Sequence, residues 1–387
     1  MKVLSVLGTR PEAIKMAPVL SALRRRPELV QSIVCSVGQH REMLDQVLKT
    51  FEIQPDHELD VMTPNQSLSE LTARLFTGLD AVIAVVQPDW VLAQGDTTTV
   101  FVASMVSYYR RVAFGHVEAG LRTGDKWRPF PEEINRQIAD IAADLHFAPT
   151  ERARQALLKE GRSSCDVYVT GNTVIDALQE VASREYDLTV GPLSSLPLDR
   201  QLVLITAHRR ESFGEPFRQL CHAIRDLACR FAGVPFHFVY PVHLNPNVGA
   251  PVREILSKLS NVSLIPPIDY LALIHLMKRA VLVLTDSGGI QEEAVGLRVP
   301  VLVMRDTTER PEGVEAGAAK LVGTRRAAIV AEADRLLRDP AARLAMTTGT
   351  NPYGDGHAGE RIVSILLERA GIVDRAASTG AQLNEGQ

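Results

Sequence analysis

Along both halves of this chain the same unit recurs: a short apolar run, an abrupt polar junction, and a helical pattern. Lys2–Leu7 runs into GTRPEAIKMAPVL, Ser32–Val37 into GQHREML, Trp90–Ala93 into QGDTTTV, and Asp166–Val169 into GNTVIDAL. Past residue 200, Leu202–Thr206 meets AHRRESFGEP, Phe236–Tyr240 meets PVHLNP, and Val262–Ile265 meets PPIDY. Val281–Thr285 then meets DSGGIQEEA, and Val299–Met304 meets RDTTERPEG. Apolar runs alternating with helices predict parallel sheets covered on both faces. At 387 residues the chain exceeds one ordinary core. REYDLTVGPLSSLPLDR, with its prolines, glycine and paired serines, breaks the pattern and marks a linker over 181–200. The expected layout is α/β: two doubly wound domains, 1–180 and 201–353, whose polar rims face one interdomain cleft.

The longest junction is Gly115–Arg136, GHVEAGLRTGDKWRPFPEEINR, which follows Arg111–Phe114. A strand-to-helix connection takes about two to six residues, and a longer one dense in ionisable groups points to function. Its alternative is a solvated loop. Beyond Pro131, Ile134, Ile138 and Ile141 fall on one helical stripe, and Glu132 and Glu133 sit in the first turn, where the helix dipole favours acids in any case.

Charge and cysteine usage narrow the function classes. A net charge of −4 gives no electrostatic case for nucleic acid or an acidic membrane surface. No run approaches the ~18 apolar residues of a membrane span, and MKVLSVLGTRPE reads as a first strand rather than a signal peptide. Cys35, Cys165, Cys221 and Cys229 lack CxxC spacing, which fits a reduced, cytoplasmic protein, and Cys221 and Cys229 read as small core residues of an amphipathic helix. Histidines and carboxylates lack HExxH or EF-hand spacing, so no metal site is expected. Neither GxxxxGK[ST] nor GxGxxG occurs, which leaves a phosphate-bearing ligand without a hydride cofactor. The tail after Gly371 lacks periodicity, and 372–387 is expected to be disordered.

The junctions carry the chemistry. Pro11 suits a first helical position, so Arg10 and Lys15 flank a helix N-terminus at a strand end: either an anion site, most simply for phosphate, or a capped helix with two solvated cations. Gln39, Asp96 and Glu118 occupy equivalent junctions and converge on the same rim. In DSGGIQEEA, Ser287, Gly288 and Gly289 let backbone amides approach a ligand, and Glu292 and Glu293 can accept from sugar hydroxyls. His208, beside Arg209 and Arg210, is either a structural histidine or a group that moves protons and steadies a leaving phosphate.

Read together, GTRPEAIKMAP, QGDTTT, HVEAGLRT, PEEINR, GNTVIDA, AHRRES, DSGGIQEEA, RDTTERPEG and NPYGDG resemble the non-hydrolysing UDP-N-acetylglucosamine 2-epimerases, in that family's order and over roughly residues 1–370. The resemblance implies the GT-B architecture, a cytoplasmic homodimer without cofactor, and a helix over 354–371 that crosses back to the first domain. It implies interconversion of UDP-GlcNAc and UDP-ManNAc by elimination and re-addition of UDP through 2-acetamidoglucal. Carried over motif by motif, it puts Asp96, Glu118 and Glu132 at acid/base positions and His208 beside the leaving diphosphate. Arg10, Lys15, Ser287, Gly288, Gly289, Glu293 and Arg310 match UDP-binding positions. Which carboxylate takes the C2 proton is not assigned by the motifs.

Two departures stand out. Several bacterial members bind a second UDP-GlcNAc through a QHRQ motif and an arginine in RQTL; here those read Gln39-His40-Arg41-Glu42 and Asn65-Gln66-Ser67-Leu68. A carboxylate at Glu42 and a lost cation at Asn65 disfavour a second diphosphate, while Gln39 and His243 remain. Ile268 and Leu273 replace the glutamine and phenylalanine found around the uracil in many relatives. The competing readings are a hydrolysing 2-epimerase, an epimerase of a UDP-diacetamido-uronic acid, a GT-B glycosyltransferase, and a non-catalytic sugar-nucleotide sensor.

Overall fold

The computed structural model describes residues 1–38, 41–63, 66–209 and 212–372. The chain divides into two compact units, one of Met1–Ala177 with Gly354–Gln387, the other Leu178–Tyr353. The tail beyond residue 372 lies outside the described residues.

The first unit holds a parallel seven-stranded sheet. Its strands are β1 (Lys2–Leu7), β2 (Gln31–Ser36), β3 (His57–Glu58), β4 (Trp90–Gln94), β5 (Ala113–Val117), β6 (Leu145–Ala148) and β7 (Val167–Val169). The order is β3-β2-β1-β4-β5-β6-β7, with Val3 opposite Trp90 and Val6 opposite Ala93 across the central pair. The second unit repeats the plan with β8 (Gln201–Thr206), β9 (Phe236–Pro241), β10 (Val262–Ile265), β11 (Ala280–Thr285), β12 (Val301–Val303) and β13 (Ala319–Leu321), ordered β10-β9-β8-β11-β12-β13. Both are Rossmann-like, doubly wound α/β sheets, the pair of modules from which GT-B proteins are composed. In each, strand order reverses beside the first strand, so the carboxyl ends of β1 and β4, and of β8 and β11, form the crevices where such sheets receive ligands.

The strands earn their places by burial. Leu4, Val6, Val91, Ala93 and Phe114 are 0–1% exposed in the first core, as are Val203, Ile205, Phe238, Leu282 and Leu284 in the second. The helix Ala358–Arg369 belongs to the first unit, where it packs on the helix Arg10–Arg24. Gly359 makes that approach possible, since a Cβ there would lie 2.8 Å from the Pro18 carbonyl carbon. Asp176 Oδ1 accepts from the Gly359 amide at 2.8 Å, and Arg26 pairs with Glu360 at 2.9 Å. Among the described residues, no helix is long and apolar enough to cross a membrane.

One local expectation is reversed, that of Cys229 in the core, and one sequence stripe takes the outer side. Along the isoleucine stripe of the helix Glu132–Ala142, Ile134 is 39% and Ile141 65% exposed and Ile138 is half-buried, while Glu133, Asn135, Arg136, Ala139 and Asp140 are buried. This helix turns its polar face inward because that face carries ion pairs, described below. Cys221 is buried, but Cys229 is exposed. Eight residues of α-helix turn it about 80° away from Cys221, off the core stripe.

Candidate active site

In the first unit the polar groups gather at the ends of β1, β4 and β5. Glu118 follows β5 with φ +67°, a left-handed conformation unusual for a non-glycine residue. It is 8% exposed. Lys15 Nζ donates to Glu118 Oε1 at 2.5 Å, Asn172 Nδ2 donates to the same oxygen at 3.1 Å, and Gln94 Nε2 donates to Oε2. The Glu118 and Ala119 amides both donate to the Phe147 carbonyl, at 3.0 and 3.2 Å, which pins the turn that aims the carboxylate. Lys15, expected to meet a diphosphate, is therefore the buried partner of a candidate catalytic acid.

Asp96 lies past β4 and Gly95, whose φ of +91° suits glycine. Its Oδ2 accepts from Arg136 Nη2 at 2.6 Å, and its backbone carbonyl accepts from Asn135 Nδ2 at 3.1 Å. Glu132 opens the same helix and is half-buried. Its neighbour Glu133 is fully buried and accepts from the Thr123 amide at 3.1 Å and the Gly124 amide at 3.2 Å, closing the long junction onto the helix start. Asp125 stays at the surface, capping the Trp127 amide at 3.0 Å.

Arg10 is the first residue of its helix. The loop before it is tied down by Glu12, whose Oε2 accepts from the Gly8 amide at 2.5 Å and the Thr9 amide at 3.1 Å. Burial pushes the Glu12 carboxyl up to about 7 against the opposing pull of these hydrogen bonds.

The second unit gathers a separate set at the ends of β8 and β11. Asp286, wholly buried, accepts from the His208 amide at 2.8 Å and the Arg209 amide at 2.9 Å. The His208 ring is 44% exposed and stacks on His243, centroids 5.2 Å apart and planes within 6°. Ser287 is the N-cap of the helix Gly288–Gly296. A Cβ on Gly288 would come within 2.4 Å of Arg310 Nη1, whereas Gly289 faces nothing within 4 Å. Arg310 bridges two carboxylates, Glu292 at 2.7 Å and Glu309 at 2.6 Å. Arg305 and Arg209 reach Glu309 as well, at 2.9 and 3.3 Å. Burial works against the Glu309 charge, but Arg310, Arg209 and Arg305 outweigh it and hold the carboxyl well below the usual range. Glu293 is buried in the same helix.

Gln39 lies outside the described residues, as do Asn65, Arg210 and the side chain of Glu42, whose backbone belongs to the helix Arg41–Thr50. Ile268 is buried and Leu273 half-buried.

A family profile described as UDP-N-acetylglucosamine 2-epimerase matches residues 21–367. The chain belongs to that family. It is 51% identical over 374 residues to the UDP-N-acetylglucosamine 2-epimerase of Escherichia coli, covering 95% of this chain and 98% of that protein. Among solved structures, the UDP-GlcNAc 2-epimerase of Neisseria meningitidis bound to UDP-GlcNAc matches with a TM-score of 0.89 and 46% identity, over 95% of this chain and all of that one. A co-structure of an S. aureus protein with UDP matches with a TM-score of 0.90 and 44% identity, over 96% and 97% of the two chains.

Against this family background, the side chains that motif reading overlooked are the ones that hold others. Gln94 and Asn172 grip Glu118, Arg136 grips Asp96, and Asp286 with Glu309 organises the second rim. A signal existed for two of them: Gln94 and Asp286 are polar residues set at the very end of apolar strands, where a solvated loop has no need of them.

Proposed function

We propose that this member of the epimerase family catalyses reversible inversion at C2 of UDP-N-acetylglucosamine, giving UDP-N-acetylmannosamine, by elimination and re-addition of UDP. The observation that carries the reading is Glu118, a carboxylate in a left-handed backbone conformation, sunk among Lys15, Gln94 and Asn172. Such backbone strain costs about 1–3 kcal/mol and persists where surrounding contacts over-determine it, as at reactive sites. The relatives' names, and the UDP-GlcNAc held by the Neisseria protein, favour this substrate.

In this reading a carboxylate of the first unit takes the C2 proton while the bond from C1 to the UDP oxygen breaks and UDP departs with the electron pair. The product held by the enzyme is 2-acetamidoglucal. Protonation of C2 from the other face and attack of a UDP phosphate oxygen on C1 complete the inversion, with no net oxidation. Asp96, Glu118 and Glu132 form the acid/base set. His208, Arg10 and Arg310, with the helix start at Ser287, Gly288 and Gly289, hold the leaving diphosphate, and Glu293 accepts from hydroxyls. Lys15 neutralises the buried Glu118 charge.

Proton NMR of UDP-GlcNAc in heavy water with the protein tests the scheme. The expected result is UDP-ManNAc carrying deuterium at C2, at equilibrium with UDP-GlcNAc and without net loss of UDP. Irreversible release of UDP and ManNAc would favour the hydrolysing reaction, and inertness toward UDP-GlcNAc would favour another sugar or a glycosyl transfer. Glu118→Gln is expected to retain UDP binding and lose deuterium uptake; exchange at the unmodified rate removes Glu118 from the scheme.

We propose further that two copies associate through the exposed apolar residues of the packed helices Thr98–Arg110 and Glu132–Ala142 and the junction before the second: Tyr108, Tyr109, Trp127, Phe130, Ile134 and Ile141. Tyr108 lies beside Tyr109 and Trp127 beside Phe130, and exposed apolar groupings of this kind mark association sites. Ile141→Glu is expected to shift the light-scattering mass from dimer to monomer, and an unchanged mass would move the interface elsewhere.

A further inference from the structure

Behind the Asp96 junction lies a histidine that the scheme above does not use. His116, on β5, is 0% exposed, and both of its ring nitrogens meet oxygen. Nδ1 lies 2.6 Å from Asp140 Oδ1, and Nε2 lies 2.7 Å from the backbone carbonyl of Gly95, the residue before Asp96. A carbonyl oxygen only accepts, and an ionised carboxylate only accepts. A neutral imidazole has one N–H, so it would satisfy one contact and set a lone pair against a lone pair at the other. Only the doubly protonated ring fits both.

The surroundings supply the countercharge. Asp140, 1% exposed, takes a second donor from Arg122 Nη2 at 2.7 Å, and Arg122 also forks onto Glu160, with both contacts at 2.7 Å. His146 Nε2, from β6, reaches the Asp140 backbone oxygen at 2.8 Å, and Phe114 lies beside the His116 ring. Burial alone would push His116 down, but Asp140 and the Gly95 carbonyl together raise it. Burial would push Asp140 up, yet His116 and Arg122 bring it down to about 2.

Position gives the charge a purpose. The Gly95 amide donates to the Val117 carbonyl at 3.0 Å, so both polar groups of the Gly95 backbone are bound to β5. The helix that carries Asp140 also carries Arg136 and Asn135, which hold the Asp96 carboxylate and carbonyl. We infer that His116 is a positioning residue for the reaction: a permanently charged imidazolium that clamps the Gly95 carbonyl and so fixes the peptide from which Asp96 projects. The inference rests on the acid/base role proposed for Asp96, while the protonation state of His116 stands apart from that role.

Two measurements on the full chain test it. Ring 15N shifts of histidine-labelled protein, with the His116 signal assigned by its loss in His116→Gln, are expected to show both nitrogens protonated at pH 8; a neutral His116 at that pH overturns the inference without any variant having to be active. In Asp140→Asn the amide oxygen takes Arg122 and the amide N–H donates to Nδ1, so a neutral ring satisfies both contacts with Nε2–H on Gly95. His116 should then turn neutral at pH 8 in the 15N spectrum, and a ring still doubly protonated in that variant overturns the assignment of its charge to Asp140. A misplacement of about 1 Å at a reacting group can cost about 100-fold. In His116→Phe with Asp140→Asn, which removes the Nε2–H donor without stranding the Asp140 charge, kcat should therefore fall about 10- to 100-fold with KM within about twofold. A lowered melting temperature with kcat unchanged in that double variant would make His116 merely structural and overturn the inference. Asp96→Asn separates the two readings: full activity there removes the acid/base role of Asp96, while the 15N result continues to report on His116 itself.

Discussion

Removing the Lys15 ammonium is the perturbation whose outcome the geometry determines most sharply. Lys15 and Glu118 are 103 residues apart in sequence, meet at 2.5 Å, and have side chains only 7% and 5% exposed. Taking one member from a buried pair strands the other's charge and costs about 3–5 kcal/mol. In Lys15→Met the Glu118 carboxylate keeps the Gln94 and Asn172 amides, so the expected loss is near the lower figure, about 3 kcal/mol. With a urea m-value of about 2–3 kcal/mol/M, that lowers the unfolding midpoint by about 1–1.5 M. The assay reads the right part of the molecule, because the chain has two tryptophans, Trp90 and Trp127, and both belong to the first unit. Adding Glu118→Gln to Lys15→Met removes the stranded charge, and the double variant should recover to within about 1 kcal/mol of the unmodified protein, about 2 kcal/mol more stable than Lys15→Met alone. UDP affinity should change less than about threefold, since the lysine is occupied within the fold. An unchanged midpoint together with a tenfold or larger loss of UDP affinity would refute this reasoning and return Lys15 to the diphosphate.

Three further outcomes follow from the same geometry. Glu12 has a carboxyl raised from about 4.5 to about 7, so its contribution to stability is fully present below pH 4.5 and is lost as pH rises through about 7; the displacement is worth about 3 kcal/mol, and Glu12→Gln should flatten the urea midpoint across that window, where parallel curves would sink the assignment. Gly288→Ala should drive Arg310 off its carboxylates and weaken UDP binding about tenfold by calorimetry, while Gly289→Ala, which meets nothing within 4 Å, should leave the melting temperature unchanged. Iodoacetamide should label Cys165 and Cys229 in the native protein and spare Cys35 and Cys221, whose thiols burial pushes up to about 12; mass spectrometry showing early labelling of Cys35 would contradict its burial.

The sheets were legible wherever an apolar run was long enough to stand out. Lys2–Leu7 and Val262–Ile265 form strands with the ends read from the sequence, and Val299–Met304 shortens only to Val301–Val303. His57–Glu58, Leu145–Ala148 and Ala319–Leu321 were not legible, because two to four residues carry no period and depend on neighbours already in place. The candidate site divides the same way. Chain position alone put Asp96, Glu118 and His208 at strand ends, because a parallel sheet collects such junctions on one edge. Pairing did not follow from position: nothing local in GTRPEAIKMAP says that Lys15 will cross to Glu118 rather than face solvent. The outward isoleucines of Glu132–Ala142 follow the same rule: hydrophobic periodicity locates an apolar stripe but not which side it faces, and here ion pairs claimed the interior.

The first unit is made from two separate stretches of chain, and this orders its birth on the ribosome. Residues 1–177 emerge first, but the helix Ala358–Arg369, which packs on Arg10–Arg24, follows only after the whole of Leu178–Tyr353. At about 5–20 residues per second that interval is about 9–35 s. Throughout it, the buried contact made by Pro18 against Gly359 has no counterpart, and Arg26 has no Glu360. The second unit is translated in one piece and has its sequence complete first, so the module that begins synthesis is the one that finishes last.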